Sequence, residues 1–337
     1  FYINNEEKFT MKKLFNIFVV SFALVFSSSV FANKIGVVYD SGGKFDKSFN
    51  ELAFKTAERV KNELGWQMVE FESSNDAQIE QGMRKIADRG ATMIVGMGFA
   101  QADAIAAVSA DYPDIKFVAV DVCWLDDPNN NIYQACYKEH EGSFLVGMMA
   151  AMASKSGTIG FVGGMDIPLI RKFQGGYEQG AQYVNPDIEV LANMTGTTNE
   201  AWNNPTKGAE LTKAQIDGGA DVVYQAAGGT GIGVLQAAAD AGIMGIGVDA
   251  NQNWMHPGNM LTSMLKRLDL TIFAQAEAIS AGTFEPSGKF LSLGIAEGGV
   301  GYATEDGMVT DEMAAAADAA AADIASGAIV VADWSQE

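Results

Sequence analysis

Histidine and cysteine are scarce in this chain, with two of each among 337 residues. Neither His140 nor His256 has a second ligand at metal-binding spacing, which argues against a metal site. Neither lies near a candidate nucleophile in a recognisable string, and the sequence has no Gly-x-Ser-x-Gly. We therefore predict a protein without a metal or cofactor that is not an enzyme.

Basic residues are also few. The chain has 22 Lys and Arg against 42 Asp and Glu, which gives a formal net charge of −20. A surface this acidic argues against binding to nucleic acid or to anionic lipid. We expect a partner that is a small molecule or another protein.

A long apolar run, Leu14 to Phe26, lies near the start of the chain. It follows Met11-Lys12-Lys13 and precedes small residues that end in Val30-Phe31-Ala32. This order predicts a secretory signal cleaved after Ala32, with residues 1–10 as read-through before the start. The run is shorter than the ~20 residues that a membrane span needs, which favours a cleaved signal over an anchor. No cysteine lies directly after the run, so we expect a periplasmic protein without a lipid anchor or stable membrane insertion.

The predicted export bears on whether the two cysteines form a disulfide. Cys123 and Cys136 form an even count in a protein predicted to leave the reducing cytoplasm, which favours a disulfide. The alternative is a pair of buried free thiols.

From residue 33 onward, short apolar runs alternate with helical patterns. Ile35 to Tyr39 is typical of a strand buried on both faces of a parallel sheet. Gly42-Gly43 ends that run, and apolar residues at helical spacing follow from Phe49. A second series of such units begins near Gly157. The pattern predicts an α/β protein with two doubly wound parallel-sheet lobes, whose ligand lies at the carboxyl ends of strands.

Three aspartates, Asp40, Asp121 and Asp249, close predicted strands. Hydrogen bonding to a polyol or to base edges is the simplest use of such carboxylates, and capping of the next helix is the alternative. Trp202 lies in a polar loop, where it is either a stacking surface or a lid over the core. Lys266 stands at a strand-to-helix junction, where a solvated lysine is the plainer interpretation.

The glycine-rich string Gly228 to Gly233 follows a strand and opens a helix, as a dinucleotide-binding loop does. It reads G-x-G-x-G from Gly229, not G-x-G-x-x-G, although Asp249 follows at about 20 residues, the spacing of the acidic partner. Export would also separate it from the nicotinamide pool. Backbone N–H groups close to a small ligand, or a tight turn that needs glycine, remain the two alternatives.

Several strings along the chain point to one family. They are Asp40-Ser41-Gly42 with Asp46-Lys47-Ser48-Phe49-Asn50, Glu141 to Gly147, Ala226 to Gly231, Gly247-Val248-Asp249, Leu261 to Lys266 and Ala296 to Gly301. Together they resemble the basic membrane protein family, whose best-understood members are purine nucleoside receptors of ABC importers. The resemblance implies a type I periplasmic-binding-protein fold with a multi-crossover hinge, and an ABC permease with its ATPase as partners. We expect a monomer in which residues 33–137 and 255–287 form lobe I and residues 138–254 and 288–337 form lobe II.

The resemblance also implies roles for these residues. Phe49 and Trp202, where the family commonly has Phe, would sandwich the base of a purine nucleoside. Asp249 and Lys266 would hold the ribose hydroxyls, and Gly229 would offer a backbone contact. The base edges would be read by Asp40, Asn50 and Asp121, and the first string adds Ser41 and Asp46 to the ligand-binding set.

The ligand and the role are not fixed by these strings. Another nucleoside, a free base or a small sugar-like molecule remains open. An exported α/β enzyme would be recognised by turnover of its ligand. A sensor that docks on a membrane receptor would be recognised by the absence of neighbouring permease and ATPase genes.

Overall fold

The computed structural model describes residues 32–73 and 75–336. The predicted read-through and signal peptide lie outside this range, except for Ala32. The strands and helices, in chain order, are β1 (Lys34–Tyr39), α1 (Phe49–Leu64), β2 (Gln67–Glu72), α2 (Ile79–Asp88), β3 (Met93–Met97), α3 (Ala102–Asp111), β4 (Lys116–Val120), β5 (Ile132–Tyr137), α4 (Glu139–Ala153), β6 (Thr158–Met165), α5 (Pro168–Val184), β7 (Glu189–Gly196), α6 (Pro205–Asp217), β8 (Val222–Ala226), α7 (Gly231–Asp240), β9 (Met244–Asp249), β10 (Met260–Lys266), α8 (Leu268–Ala281), β11 (Ser292–Leu293), β12 (Val300–Tyr302) and α9 (Asp311–Ser326).

The strands form two six-stranded sheets. Their orders are β2-β1-β3-β4-β5-β11 and β7-β6-β8-β9-β10-β12. The pairs are parallel except for β12, which runs antiparallel to β10. Central strands such as β3 and β8 are buried at every residue because helices cover both faces. The predicted pair of doubly wound parallel-sheet lobes is confirmed.

The chain passes between the lobes three times, and two of these passages differ from the expected boundaries. Residues 255–287 were expected in lobe I, yet β10 lies in the second sheet, and only α8 packs on α1 of the first. Residues 288–337 were expected in lobe II, yet β11 pairs with β5 in the first sheet. The sequence pattern of β10 marks a strand but does not indicate which of the two sheets it joins. Strand β11 has two residues, which is too short to show periodicity.

Helices α4 and α5 pack closely against each other in the second lobe. A Cβ on Gly147 would lie 2.2 Å from the carbonyl oxygen of Tyr177, and a Cβ on Gly180 would lie 1.9 Å from that of Phe144. Glycine is therefore required at both positions, because the two helix backbones touch. This contact sets where the start of α5 projects.

The two cysteines are bonded, as expected, with their Cα atoms 5.7 Å apart. The bridge ties the loop after β4 to the end of β5. Among the described residues, no helix combines the length and the apolar character that crossing a bilayer requires.

Candidate functional site

The carboxyl ends of strands from both sheets face one another across a cleft. The space between the lobes is about 540 Å³, including the part open to solvent. Most of the predicted site residues line it: Asp40, Asp46, Phe49, Asp121, Trp202, Asp249 and Lys266.

Aromatic side chains enter the cleft from both lobes. Phe49 begins α1 and is 9% exposed. Trp202 ends a short 3-10 turn and packs against Gly164, where a Cβ would lie 2.1 Å from the indole. Phe99 and Phe173 add two aromatic walls that the sequence analysis did not single out. Phe173 is one of the apolar residues that recur at helical spacing in α5, so the sequence does not distinguish it from an ordinary core residue.

Asn50 braces a carboxylate instead of lining the cleft. Its side-chain N–H donates to Asp40 Oδ1 at 2.6 Å, and its Oδ1 accepts from the backbone N–H of Asp40 at 3.1 Å. The backbone N–H of Gly42 also donates to Asp40 Oδ1, at 2.8 Å. Asn50 is fully buried. The structure therefore gives Asn50 the task of orienting Asp40, which lines the cleft.

Asp46 caps the first turn of α1. Its carboxylate accepts from the backbone N–H groups of Ser48, Asn50 and Glu51 at 2.9, 3.0 and 3.1 Å. These are N–H groups that a helix start leaves without partners. Burial raises the pKa of Asp46 to about 7, although these N–H groups act to lower it. The cap holds Phe49 at the cleft.

A buried ion cluster joins the two lobes. Lys266 Nζ, from the end of β10, lies 2.6 Å from Asp121 Oδ1 and 2.7 Å from its Oδ2, beyond the end of β4. Glu139, at the start of α4, places Oε1 3.0 Å from the same nitrogen. All three side chains are buried. Glu139 was missed because an acidic residue in the first turn of a helix is ordinary.

The cluster keeps Lys266 charged. Burial alone would lower the pKa of Lys266, but the carboxylates of Asp121, Glu139 and Asp249 raise it well above its usual value. Burial raises the pKa of Asp121 to about 6, with Lys266 opposing and Glu139 adding to the rise. A lysine held this way cannot be the solvated side chain that its sequence position also allowed.

Asp249 is approached by a hydroxyl from the other lobe. Ser48 Oγ lies 2.9 Å from Asp249 Oδ2 and 3.0 Å from the carbonyl oxygen of Val248. Burial raises the pKa of Asp249, and the charge of Lys266 opposes the rise. The backbone of Asp249 is left-handed, with φ of 64°, which turns the strand end toward the cleft.

Two predicted residues lie at the margin. Ser41 lines a smaller neighbouring pocket, together with Asn199 and Trp202. Gly229 is buried where the lobes meet, and a Cβ there would lie 3.0 Å from the carbonyl oxygen of Gly42. The adjacent Gly228 lines the cleft instead. Among the described residues, no group of His, Cys, Asp and Glu is arranged to hold a metal ion.

Comparison with known proteins identifies a family and several relatives with similar sequences. Residues 32–334 match the family described as ABC transporter substrate-binding protein PnrA-like. Basic membrane protein A2 of Borrelia garinii subsp. bavariensis is 33% identical over 286 residues, covering 83% of this chain and 82% of that protein. An uncharacterized lipoprotein of Pyrococcus furiosus is 32% identical over 289 residues, covering 82% and 71% respectively.

A solved structure extends the likeness to the fold. The ABC transporter system solute-binding protein from Aeropyrum pernix K1 superposes with a TM-score of 0.80 at 26% identity, covering 89% of this chain and 93% of that one. The strand orders and the three passages between lobes fit the type I periplasmic-binding-protein fold. The resemblance to basic membrane proteins is thus confirmed, and the chain belongs to the PnrA-like family of ABC transporter substrate-binding proteins.

Proposed function

We propose that this protein is the exported binding component of an ABC importer and that it carries a purine nucleoside between its lobes. The observation that supports this most is the pairing of aromatic walls with buried carboxylates and one buried cation in a single cleft. A nucleoside has a flat apolar base and a polyhydroxylated sugar, and these two kinds of wall match the two parts.

Different residues of the cleft contact the base and the ribose of the ligand. Phe49 and Trp202 stack on the base, and such contacts contribute about 1–3 kcal/mol per base. Asp40, oriented by Asn50, accepts hydrogen bonds from the base edge. Asp249 accepts from ribose hydroxyls, and Lys266 donates beside it. Charge-assisted hydrogen bonds of this kind are roughly twice as strong as neutral ones.

The role as a carrier follows from family and cleft together. A ligand held between two lobes allows hinge closure to signal occupancy to a permease and its ATPase. The predicted signal peptide, and the lipoprotein and solute-binding names of relatives, support a place outside the cytoplasm, which we propose to be the periplasm. We propose a monomer that binds its ligand without chemical turnover.

Thermal melting tests the ligand assignment. The chain from Asn33 onward is unfolded and refolded to remove bound ligand, then melted with nucleosides, free bases and sugars. A ligand at 100 times its dissociation constant should stabilise the protein by about 2.7 kcal/mol. We expect the largest shift with adenosine, inosine or guanosine.

Variants connect the shift to the two aromatic walls. Phe49→Leu and Trp202→Leu should each weaken binding by roughly tenfold or more, from the lost stacking. Trp254→Leu, at a tryptophan 49% exposed and outside the cleft, is the control and should change nothing. A shift with sugars alone would refute the nucleoside assignment, and recovery of a changed ligand would refute the carrier role.

A further inference from the structure

A second pocket opens beside the cleft. It lies between the ends of β4 and β5 in one lobe and the start of α5 in the other, with a volume of about 900 Å³ including its open mouth. It shares Phe99, Asp121 and Leu169 with the cleft, so the two spaces adjoin along these residues. We call it the side pocket, and its further walls include Cys123, Trp124, Cys136, Ile167, Pro168 and Lys172.

The loop that carries Trp124 is held in place from both sides. The disulfide between Cys123 and Cys136 anchors the residue before it. The residue after it, Leu125, donates its N–H to Gln134 Oε1 at 2.7 Å and accepts from Gln134 Nε2 at 3.0 Å. Trp124 nevertheless remains 46% exposed. The backbone on both sides of Trp124 is therefore fixed while its indole faces water, which lowers the conformational entropy that binding to this residue would cost.

The charged groups at the side pocket are engaged within the protein. Lys172 Nζ lies 3.1 Å from the carbonyl oxygen of Tyr137 and 3.5 Å from Glu139 Oε2. Asp121 is paired with Lys266. A charged ligand group would have to displace these partners, whereas an uncharged apolar group meets the disulfide, the indole and the aliphatic start of α5. The chemistry of the pocket therefore favours an uncharged apolar group.

We propose that the side pocket receives an apolar substituent on the base of the bound nucleoside, so that the substrates include base-modified purine nucleosides. The proposal rests on the proposed function and adds to it that the base edge lies near Asp121, the place that the family resemblance implies for this residue. Asp121 is also a wall of the side pocket, so a group attached to that edge extends into it. The main cleft then recognises the parent nucleoside, and the side pocket adds affinity for the modified one.

Calorimetry on the refolded protein tests this with a parent and a modified ligand. The probes are adenosine with N6-benzyladenosine, and inosine with 6-benzyloxypurine riboside. Burial of the benzyl group should tighten binding by roughly tenfold or more relative to the parent. Trp124→Ala should abolish that advantage while leaving the affinity for the parent unchanged, and Trp124→Phe should retain part of it.

Trp254→Ala is the matched control, because Trp254 is 49% exposed and lies away from the side pocket. It should leave both affinities unchanged. Benzyl derivatives that bind no tighter than their parents, or an advantage that survives Trp124→Ala, would overturn the side-pocket proposal alone. Failure of every parent purine nucleoside to bind would overturn the proposed function, and this proposal with it.

Discussion

The two lobes have the same strand order but present different chemistry at matching strand ends. Strands β4 and β9 occupy the same place in their sheets. Asp121 follows the first and Asp249 ends the second, with left-handed φ values of 62° and 64°. Each carboxylate is met by a side chain from the opposite lobe. Asp121 meets the cation of Lys266, whereas Asp249 meets the hydroxyl of Ser48.

Asp121 and Asp249 therefore have different roles, although they share a left-handed backbone conformation at equivalent strand ends. The charge of Asp121 is balanced inside the protein, so its first effect is to hold the lobes together. Asp249 is met by a neutral hydroxyl, so further hydroxyls from a ligand can complete its hydrogen bonding. We therefore expect the two aspartates to respond differently to substitution, the first in stability and the second in affinity.

The largest effect is expected at the ion cluster. Lys266→Met would leave Asp121 and Glu139 buried without their shared cation, and removing one partner of a buried pair costs about 3–5 kcal/mol. Urea unfolding of the ligand-free protein measures the loss. Lys207→Met, which breaks an exposed 3.7 Å pair with Glu210, should cost about 0.5 kcal/mol or less. Equal losses in the two variants would show that the cluster does not join the lobes.

The next effect concerns affinity and sharpens the contrast between the aspartates. Asp249→Asn keeps a residue type that tolerates positive φ but removes the charge, so nucleoside affinity should fall roughly 100-fold. The thermal midpoint without ligand should change little. Asp121→Asn should instead lower that midpoint, because Lys266 loses a partner. Asp187→Asn, at an exposed residue, is the control for both measurements. Equal changes in affinity and thermal midpoint for Asp249→Asn and Asp121→Asn would contradict the separate roles of the two aspartates.

Taken per pH unit, the smallest effect is the pH dependence of stability. Burial raises the pKa of Asp46 to about 7 and that of Asp121 to about 6, above the unfolded value of about 4. The native state therefore binds protons more tightly, so this contribution is complete below pH ~4 and is lost as the pH rises through the native pKa values.

Unfolding in urea at several pH values measures this slope. The free energy of unfolding should fall between pH ~4 and ~7, by at most about 1.4 kcal/mol per pH unit for each group. Asp121→Asn should make the fall below pH ~6 shallower, while Asp187→Asn should leave the curve unchanged. Stability that rises over this interval would contradict the assignment.

The sequence predicted the alternating elements well because each central strand is a buried apolar run with a polar or glycine exit. Helix α9, Asp311–Ser326, lies in an alanine-rich segment, and such a composition favours a helix. The strand-end aspartates were found for the same reason, since a carboxylate directly after an apolar run stands out.

What the sequence could not give depends on long-range contact. Glu139 matters only because Lys266 comes close to it from far along the chain. The amide side chain of Asn50 is of a type that often binds ligands, yet its hydrogen bonds are to Asp40 and Asp46. Strands β11 and β12 have two and three residues, so pairing with neighbours defines them instead of any local pattern.

The position of Trp202 has a practical consequence. Its indole packs against Gly164 and lines the cleft. A ligand that stacks on this indole, as the proposed function requires, should change its fluorescence. The protein would then report its own occupancy by light, without a label.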